Sequence, residues 1–148
     1  MPILSVSGNF GFIWFCITGL LYFTKSNPKA AYTMFWSLFF SALLGNIILK
    51  NAIRRPRPFT VKEGYETIIY HPTDYSFTSG HTASSFAAAT SLCFFYPFYG
   101  LLAVILACGI SISRLYLCVH FLSDVIFSVA FGVAIAFSVH FLLSTHLL

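Results

Sequence analysis

Apolar positions along this chain gather into long blocks, each near the roughly 20 residues that a helix needs to cross a bilayer. About five such blocks stand out, at roughly residues 8–24, 30–49, 80–98, 99–117 and 122–143. Short polar stretches separate most of them. One polar segment is long: KNAIRRPRPFTVKEGYETIIYHPTDYSFTSGH, from Lys50 to His81. The pattern predicts an all-α, polytopic membrane helix bundle of about five transmembrane helices, forming a single domain over residues 1–148.

The punctuation between blocks sharpens this picture. TKSNPKA, residues 24–30, reads as a polar turn in which Pro28 opens the next helix. Pro56 and Pro58 should end the second span near Arg55, because proline removes a helical donor and restricts the residue before it. Tyr65, Tyr70 and Tyr75 suit a loop lying at the water–lipid boundary. TASSFAAAT, at the start of the third span, is rich in small residues and predicts close helix contact rather than a site. With five spans, the 50–80 loop and the 114–124 junction emerge on the same side of the membrane, so their polar residues can meet.

Composition agrees with a bilayer setting: 58% of residues are hydrophobic, 8% are charged, and the mean hydropathy is +0.85. The first block lacks a basic leader and a clear small-residue cleavage site, and holds Gly8, Asn9 and Gly11. It is therefore read as a retained span rather than a signal peptide. Cys16, Cys93, Cys108 and Cys118 lie in apolar segments without CxxC or Cys/His spacing, which predicts neither a disulfide framework nor a zinc site. The net charge is +4, but the basic residues concentrate at Lys50, Arg54, Arg55, Arg57, Lys62 and Arg114. That placement favours an anionic lipid headgroup as partner and not nucleic acid.

Charges at membrane depth are costly and persist when paired or functional. His120 and Asp124 are four residues apart, which on a helix puts them on one face. A carboxylate bonded to one ring nitrogen fixes the tautomer and leaves the other with a lone pair, which makes His120 a candidate nucleophile and Asp124 its orienting partner. Arg114 offers a planar fork of donors for phosphate oxygens. Lys50 and Arg57 frame the end of the second span, while Ser79 and Gly80 precede a helix whose free N–H groups can receive an anion. His81, next to that glycine, is placed to protonate a leaving oxygen.

These residues fall into three motifs that resemble those of the type 2 phosphatidic acid phosphatase superfamily. KNAIRRPRP matches the first, KxxxxxxRP, through Lys50, Arg57 and Pro58. TSGH matches the second, PSGH, through Ser79, Gly80 and His81. SRLYLCVHFLSD matches the third, SRxxxxxHxxxD, in full. The resemblance covers about residues 45–140. It implies a metal-independent reaction without a cofactor, in which His120 attacks phosphorus, Asp124 orients it and His81 protonates the departing oxygen. Lys50, Arg57, Arg114, Ser79 and the Gly80 amide then hold the phosphate oxygens. Thr78 stands where the family usually has proline, Cys118 where it often has glycine, and Leu122 where it often has proline. The family also commonly has a sixth span ahead of the first motif.

Other polar residues receive plainer readings. His140 and His146 are packing residues. Arg54, Arg55 and Lys62 are headgroup cations, with Arg54 and Arg55 kept as secondary phosphate ligands for a second phosphate. His71 lies in the interfacial loop, and Asp74 caps a local turn. Ser113 belongs to the third motif but is placed to bond its own backbone.

The expected activity is removal of a terminal phosphate from a lipid phosphate or diphosphate supplied from the bilayer. Arg54 and Arg55 favour undecaprenyl diphosphate, ahead of phosphatidylglycerophosphate or phosphatidic acid. A phosphotransferase using the same site, a vanadate-dependent haloperoxidase and a non-catalytic lipid-binding protein are the rivals. The Lys and Arg count would face the site to the cytoplasm, but it is nearly balanced once Lys50, Arg57 and Arg114 are set aside. The resemblance to bacterial members favours an extracytoplasmic site in the cell membrane.

Overall fold

The computed structural model describes residues 11–24, 27–61 and 73–146, and the described residues are helical between short links. Helix α1 is Phe12–Phe23. Helix α2, Pro28–Phe40, starts where the turn chemistry predicts: the Asn27 side chain accepts a bond from the Ala30 amide at 3.1 Å, and proline occupies the first turn. It continues without a break through a π-helical segment, Ser41–Leu49, into α3, Lys50–Ile53. Arg54 then turns left-handed (φ 50°) and ends the helix just ahead of Pro56. A single turn follows as α4, Pro58–Val61. Helices α5 (Gly80–Phe95), α6 (Pro97–Tyr116) and α7 (Leu122–His146) complete the bundle.

Three helical stretches are long and apolar enough to cross a membrane: Pro28–Val61, Pro97–Tyr116 and Leu122–Thr145, with Phe12–Phe23 a shorter apolar helix. About five spans were expected; among the described residues the two further helices, α1 and α5, are shorter, and α5 has only 16 residues, with serines and threonines that dilute its hydropathy. The reason lies in its position. Helix α5 packs against α2, the π-helical segment, α6 and α7, so its surface meets protein on most sides and small residues replace lipid-facing ones. Ala83, Ala87, Ala88 and Ala89 are fully buried. A Cβ on Gly132 would lie 2.4 Å from the Ala83 carbonyl oxygen, so α7 can approach α5 this closely only with glycine there.

Polar side chains inside the bundle are satisfied across helices. The Trp14 indole donates to Ser85 Oγ at 3.0 Å, and Ser91 donates to Ser37 Oγ at 3.0 Å. Such bonds matter where no water is at hand to compete for the group. Large apolar side chains such as Phe23, Phe98, Leu101 and Phe141 remain exposed on the outside, as a lipid-facing surface requires. This is a membrane protein whose apolar bulk also faces outward: small residues of α5 lie at the centre with a few large ones such as Trp14 and Leu38, and many aromatic side chains stand at the rim.

Candidate active site

Helix α3, the N-terminus of α5, the C-terminus of α6 and the N-terminus of α7 come together at one end of the bundle. Lys50, Arg57, His81, Arg114, His120 and Asp124 all sit there. Lys50, Arg57, Arg114, His120 and Asp124 are buried. The charges of Arg114, Lys50 and Arg57 reach His81, and those of Arg57 and Lys50 reach His120. The motif residues, spread over 75 positions of chain from Lys50 to Asp124, thus form one constellation.

Its cationic half is built around Asp74. Lys50 Nζ and Arg57 Nη2 each form an ion pair with one of the two oxygens of its carboxylate. Arg57 is locked further: Nε donates to the Asp74 carbonyl at 2.9 Å and Nη1 to the Val119 carbonyl at 2.8 Å. The two cations are nearly enclosed, with side chains 11% and 6% exposed, whereas the Asp74 side chain is 51% exposed. Burial pushes the Asp74 carboxyl up, but its bonds to Lys50 and Arg57 outweigh this and hold it below the usual carboxylate range. Asp74 therefore departs from its expected role as a local turn cap.

The nucleophile candidate is held differently from the expectation. His120 lies in the link between α6 and α7 and not on a helix face with Asp124. Its Nδ1–H donates to the Ser76 carbonyl at 2.7 Å, while Asp124 Oδ2 is 4.0 Å from the same nitrogen, too far for a hydrogen bond. The outcome for the ring is the one that the motif needs. A carbonyl oxygen can only accept, so the proton sits on Nδ1 and Nε2 carries the lone pair. Burial first, and then the charges of Arg57 and Lys50, push His120 well below the ordinary value of 6.5 and keep the ring neutral.

Asp124 is fully buried and acts one step back. It accepts bonds from the Ser76 hydroxyl and from Arg55 Nη1, and from the Phe121 amide at 3.0 Å. Ser76 therefore joins the two catalytic candidates, its carbonyl on His120 and its hydroxyl on Asp124. Arg55 also donates to Ser123 Oγ at 2.7 Å, and its guanidinium lies 4.1 Å over the Phe121 ring. The reading of Arg55 as a headgroup cation or secondary phosphate ligand gives way to this one: it is the counter-ion of Asp124.

The remaining candidates divide. His81 is the second residue of α5, and its Nε2 is buried with no hydrogen-bond partner among the described residues. Gly80 beside it has no room for a side chain, since a Cβ would lie 2.3 Å from Asn46 Oδ1. Ser79 differs from its expected place as a phosphate ligand. Its amide donates to Ser128 Oγ at 2.9 Å, and its hydroxyl pairs with Thr82 Oγ1 at 3.0 Å, so both groups face the protein. Ser113 donates to the Ile110 carbonyl at 2.6 Å, in keeping with the local bond foreseen for it. Arg54 is exposed and turns back onto the Asn51 carbonyl at 3.0 Å, away from the cluster. Lys62 and His71 lie outside the described residues, as does the side chain of His146. Among the described residues, no three His, Cys, Asp or Glu side chains gather into a group that could hold a metal ion.

A cavity of about 230 Å³ lies at the far end of the bundle, lined by Lys29, Tyr32, Thr33, Phe95, His140, Leu143 and Ser144, and includes no motif residue. His140 stacks there on Phe94 with ring centroids 4.2 Å apart, as its reading as a packing residue implied. Sequence reasoning missed Asp74 and Ser76 as site residues. The available signal was their place in TDYSFTSGH, a few residues ahead of the second motif.

Bilayer-length helices with buried cations and two imidazoles gathered at one end define a polytopic membrane protein with a polar, cation-rich cluster. Comparison with known proteins agrees and is more specific: the model of the PAP2 superfamily matches residues 30–146, and the chain belongs to that superfamily. It is 32% identical over 127 residues to an undecaprenyl-diphosphatase of Sulfolobus acidocaldarius, covering 85% of this chain and 61% of the relative. It is 34% identical over 125 residues to a lipid A 1-phosphatase of Rhizobium johnstonii, covering 76% of this chain and 50% of the relative. The chain thus spans only about half to three-fifths of the length of these relatives. Its fold is shared with the crystal structure of Aquifex aeolicus LpxE, with a TM-score of 0.77 at 24% identity, over 94% of this chain and 86% of that one. It is also shared with a Bacillus subtilis transmembrane phosphatidylglycerolphosphate phosphatase, with a TM-score of 0.73 at 22% identity, over 98% and 77% of the two chains.

Proposed function

We propose that this chain is an integral membrane lipid phosphatase that removes a terminal phosphate from a lipid phosphate or diphosphate, with undecaprenyl diphosphate as the preferred substrate. The observation that carries the reading is the hydrogen bond from His120 Nδ1 to the Ser76 carbonyl. It leaves a neutral ring with its Nε2 lone pair available, beside two buried cations. A binding protein has no need of an oriented nucleophile; a phosphoryl-transfer enzyme does.

In the first step His120 Nε2 attacks phosphorus, the P–O bond to the lipid breaks, and His81, entering as the imidazolium that the bound phosphate's negative charge favours, gives its proton to the departing oxygen and is left neutral. His120, now phosphorylated, keeps its Nδ1 proton against Ser76, and Asp124 fixes Ser76 and offsets the positive charge of the ring. In the second step water gives a proton to neutral His81 as its oxygen attacks phosphorus. The N–P bond breaks, and inorganic phosphate and free His120 result. Lys50, Arg57 and Arg114 hold the equatorial oxygens as charge spreads over them. No metal is required by this scheme.

The choice of lipid rests on the named Sulfolobus relative; Arg54 and Arg55, which had also suggested it, are turned to the Asn51 carbonyl and to Asp124. Phosphatidylglycerophosphate, phosphatidic acid and lipid A 1-phosphate are the alternatives, in line with the other named relatives. The test is phosphate release from these lipids in parallel by purified protein in detergent, with EDTA present and His120→Ala as control. Preference for undecaprenyl diphosphate is expected. Dependence on added magnesium, or turnover by His120→Ala near the wild-type rate, would contradict the scheme.

We further place the site on the extracytoplasmic face of the cell membrane. In a variant lacking the native cysteines, Tyr75→Cys should react with a membrane-impermeant maleimide in intact cells; labelling only after lysis would reverse the orientation.

A further inference from the structure

Two buried cations and a carboxylate dominate the mouth of the site, and the carboxylate is in the wrong place for a bystander. Lys50 and Arg57 come from opposite sides of the α3–α4 turn, yet the two oxygens of Asp74 are divided between them. This is how a phosphate would sit, each oxygen on its own cation. Beneath Asp74 the cations are closed off from solvent; above it, half the carboxylate is open. Among the described residues, its ties are those two ion pairs and the backbone bond to Arg57.

We propose that Asp74 is a specificity-determining residue, a resident anion that fills the phosphate position of the empty site and yields it only to a ligand of higher charge. The reasoning is a competition. A terminal phosphate carries a charge of about −1.5 to −2 near neutral pH and three oxygens, enough to engage Lys50, Arg57 and Arg114 together. The phosphodiester of an ordinary phospholipid has one negative charge, the same as the carboxylate, and lacks the advantage of being tethered beside the cations. In a bilayer where phosphodiesters form the bulk of the anionic lipid, an uncovered pair of buried cations would be filled by the wrong headgroup. Asp74 excludes it by an equal charge already in place, and a terminal phosphate displaces Asp74 toward solvent. This inference rests on the phosphate-site reading of the preceding subsection and adds to it the basis of selection.

The experiment compares wild type, Asp74→Asn and Asp74→Glu, full chain, in neutral detergent micelles. Inorganic phosphate binding is read by thermal shift, so that no turnover is needed. Turnover of the best lipid phosphate is then measured as phosphatidylglycerol is added, with phosphatidylcholine at equal mole fraction correcting for surface dilution. Removing the competitor should tighten phosphate binding of Asp74→Asn about tenfold, by the fraction of sites that it frees. Phosphatidylglycerol should inhibit Asp74→Asn and leave wild type unaffected. Asp74→Glu, which keeps the charge, should restore exclusion, which a purely structural role of the side chain does not predict. Unchanged or weaker phosphate binding by Asp74→Asn, or equal phosphatidylglycerol sensitivity in wild type and variant, overturns the proposal even where the phosphatase reading stands. Absence of turnover in every protein would sink the phosphatase reading, while the phosphate-binding comparison still decides the role of Asp74. If asparagine at this position prevents folding, Asp74→Ser is read by the same criteria.

Discussion

Two aspartates with arginine partners stand within one site, and they differ in what surrounds them. Asp124 is fully buried, bonded by the Ser76 hydroxyl, the Phe121 amide and a single cation, Arg55, which is itself 35% exposed. Asp74 is half open, and its two cations are the buried partners. In the first pair the acid is the fixed point and the base can reach solvent; in the second the order is reversed. The fixed point marks what the fold must keep in place: Asp124 beneath the Ser76 and His120 loop, and Lys50 with Arg57 beneath the mouth. The exposed member is the one that can be exchanged.

That contrast can be broken at Arg55. Arg55→Ala leaves Asp124 buried without its counter-ion and should cost about 3 kcal/mol of stability, read as a lowered thermal midpoint in detergent. An unchanged midpoint would mean that Arg55 is the headgroup cation that the sequence suggested. Asp74→Asn provides the matching measurement on the other pair, and should lower the midpoint less, because asparagine keeps an oxygen acceptor beside the two cations and Arg57 keeps its bond to the Val119 carbonyl.

The comparison is sharpened by the protonation of His120. A ring held well below the ordinary value is neutral at and above pH 6.5 and gains a proton only in more acid solution, so activity that depends on neutral His120 is lost as pH falls through that lowered value. Nitrogen NMR of histidine-labelled protein should show the His120 ring as the neutral Nδ1–H form at pH 6.5. A ring half protonated there would contradict the burial argument.

The smallest effect concerns the backbone beside the nucleophile. Cys118 has φ 54°, a conformation costly to a residue with a Cβ, and the family often has glycine there. Cys118→Gly should raise stability by about 1 kcal/mol or less, measured as a rise in thermal midpoint. A fall would show that the Cys118 side chain contributes more packing than its backbone costs.

Much of this site was legible because its motifs are short and local. Lys50 with Arg57, Gly80 with His81, and Arg114 with His120 and Asp124 each lie within a dozen residues of chain around a helix end or a short link, where spacing limits how far apart they can be. The partners were not legible. Asp74 reaches Lys50 across 24 residues, and Ser76 reaches Asp124 across 48, contacts set by how residues 73–79 fold over the bundle end. The spacing of His120 and Asp124 suggested a helix, but the chain from Leu117 to Phe121 is a non-helical link, so the carbonyl of Ser76 took the place that the Asp124 carboxylate was expected to fill. The spans were more legible: apolar length located α5, α6 and α7 to within a few residues, although α5, packed against protein, uses small residues more than large apolar ones and is shorter than α6 and α7.

The central claim is that His120 carries the phosphoryl group. The direct measurement is a rapid base quench of the protein mixed with lipid bearing a radiolabelled terminal phosphate, followed by peptide mapping of acid-labile label. Label on the peptide containing His120, absent in His120→Ala, is the result expected. Release of labelled phosphate at full rate, with label on no histidine or on His81 instead, would contradict it.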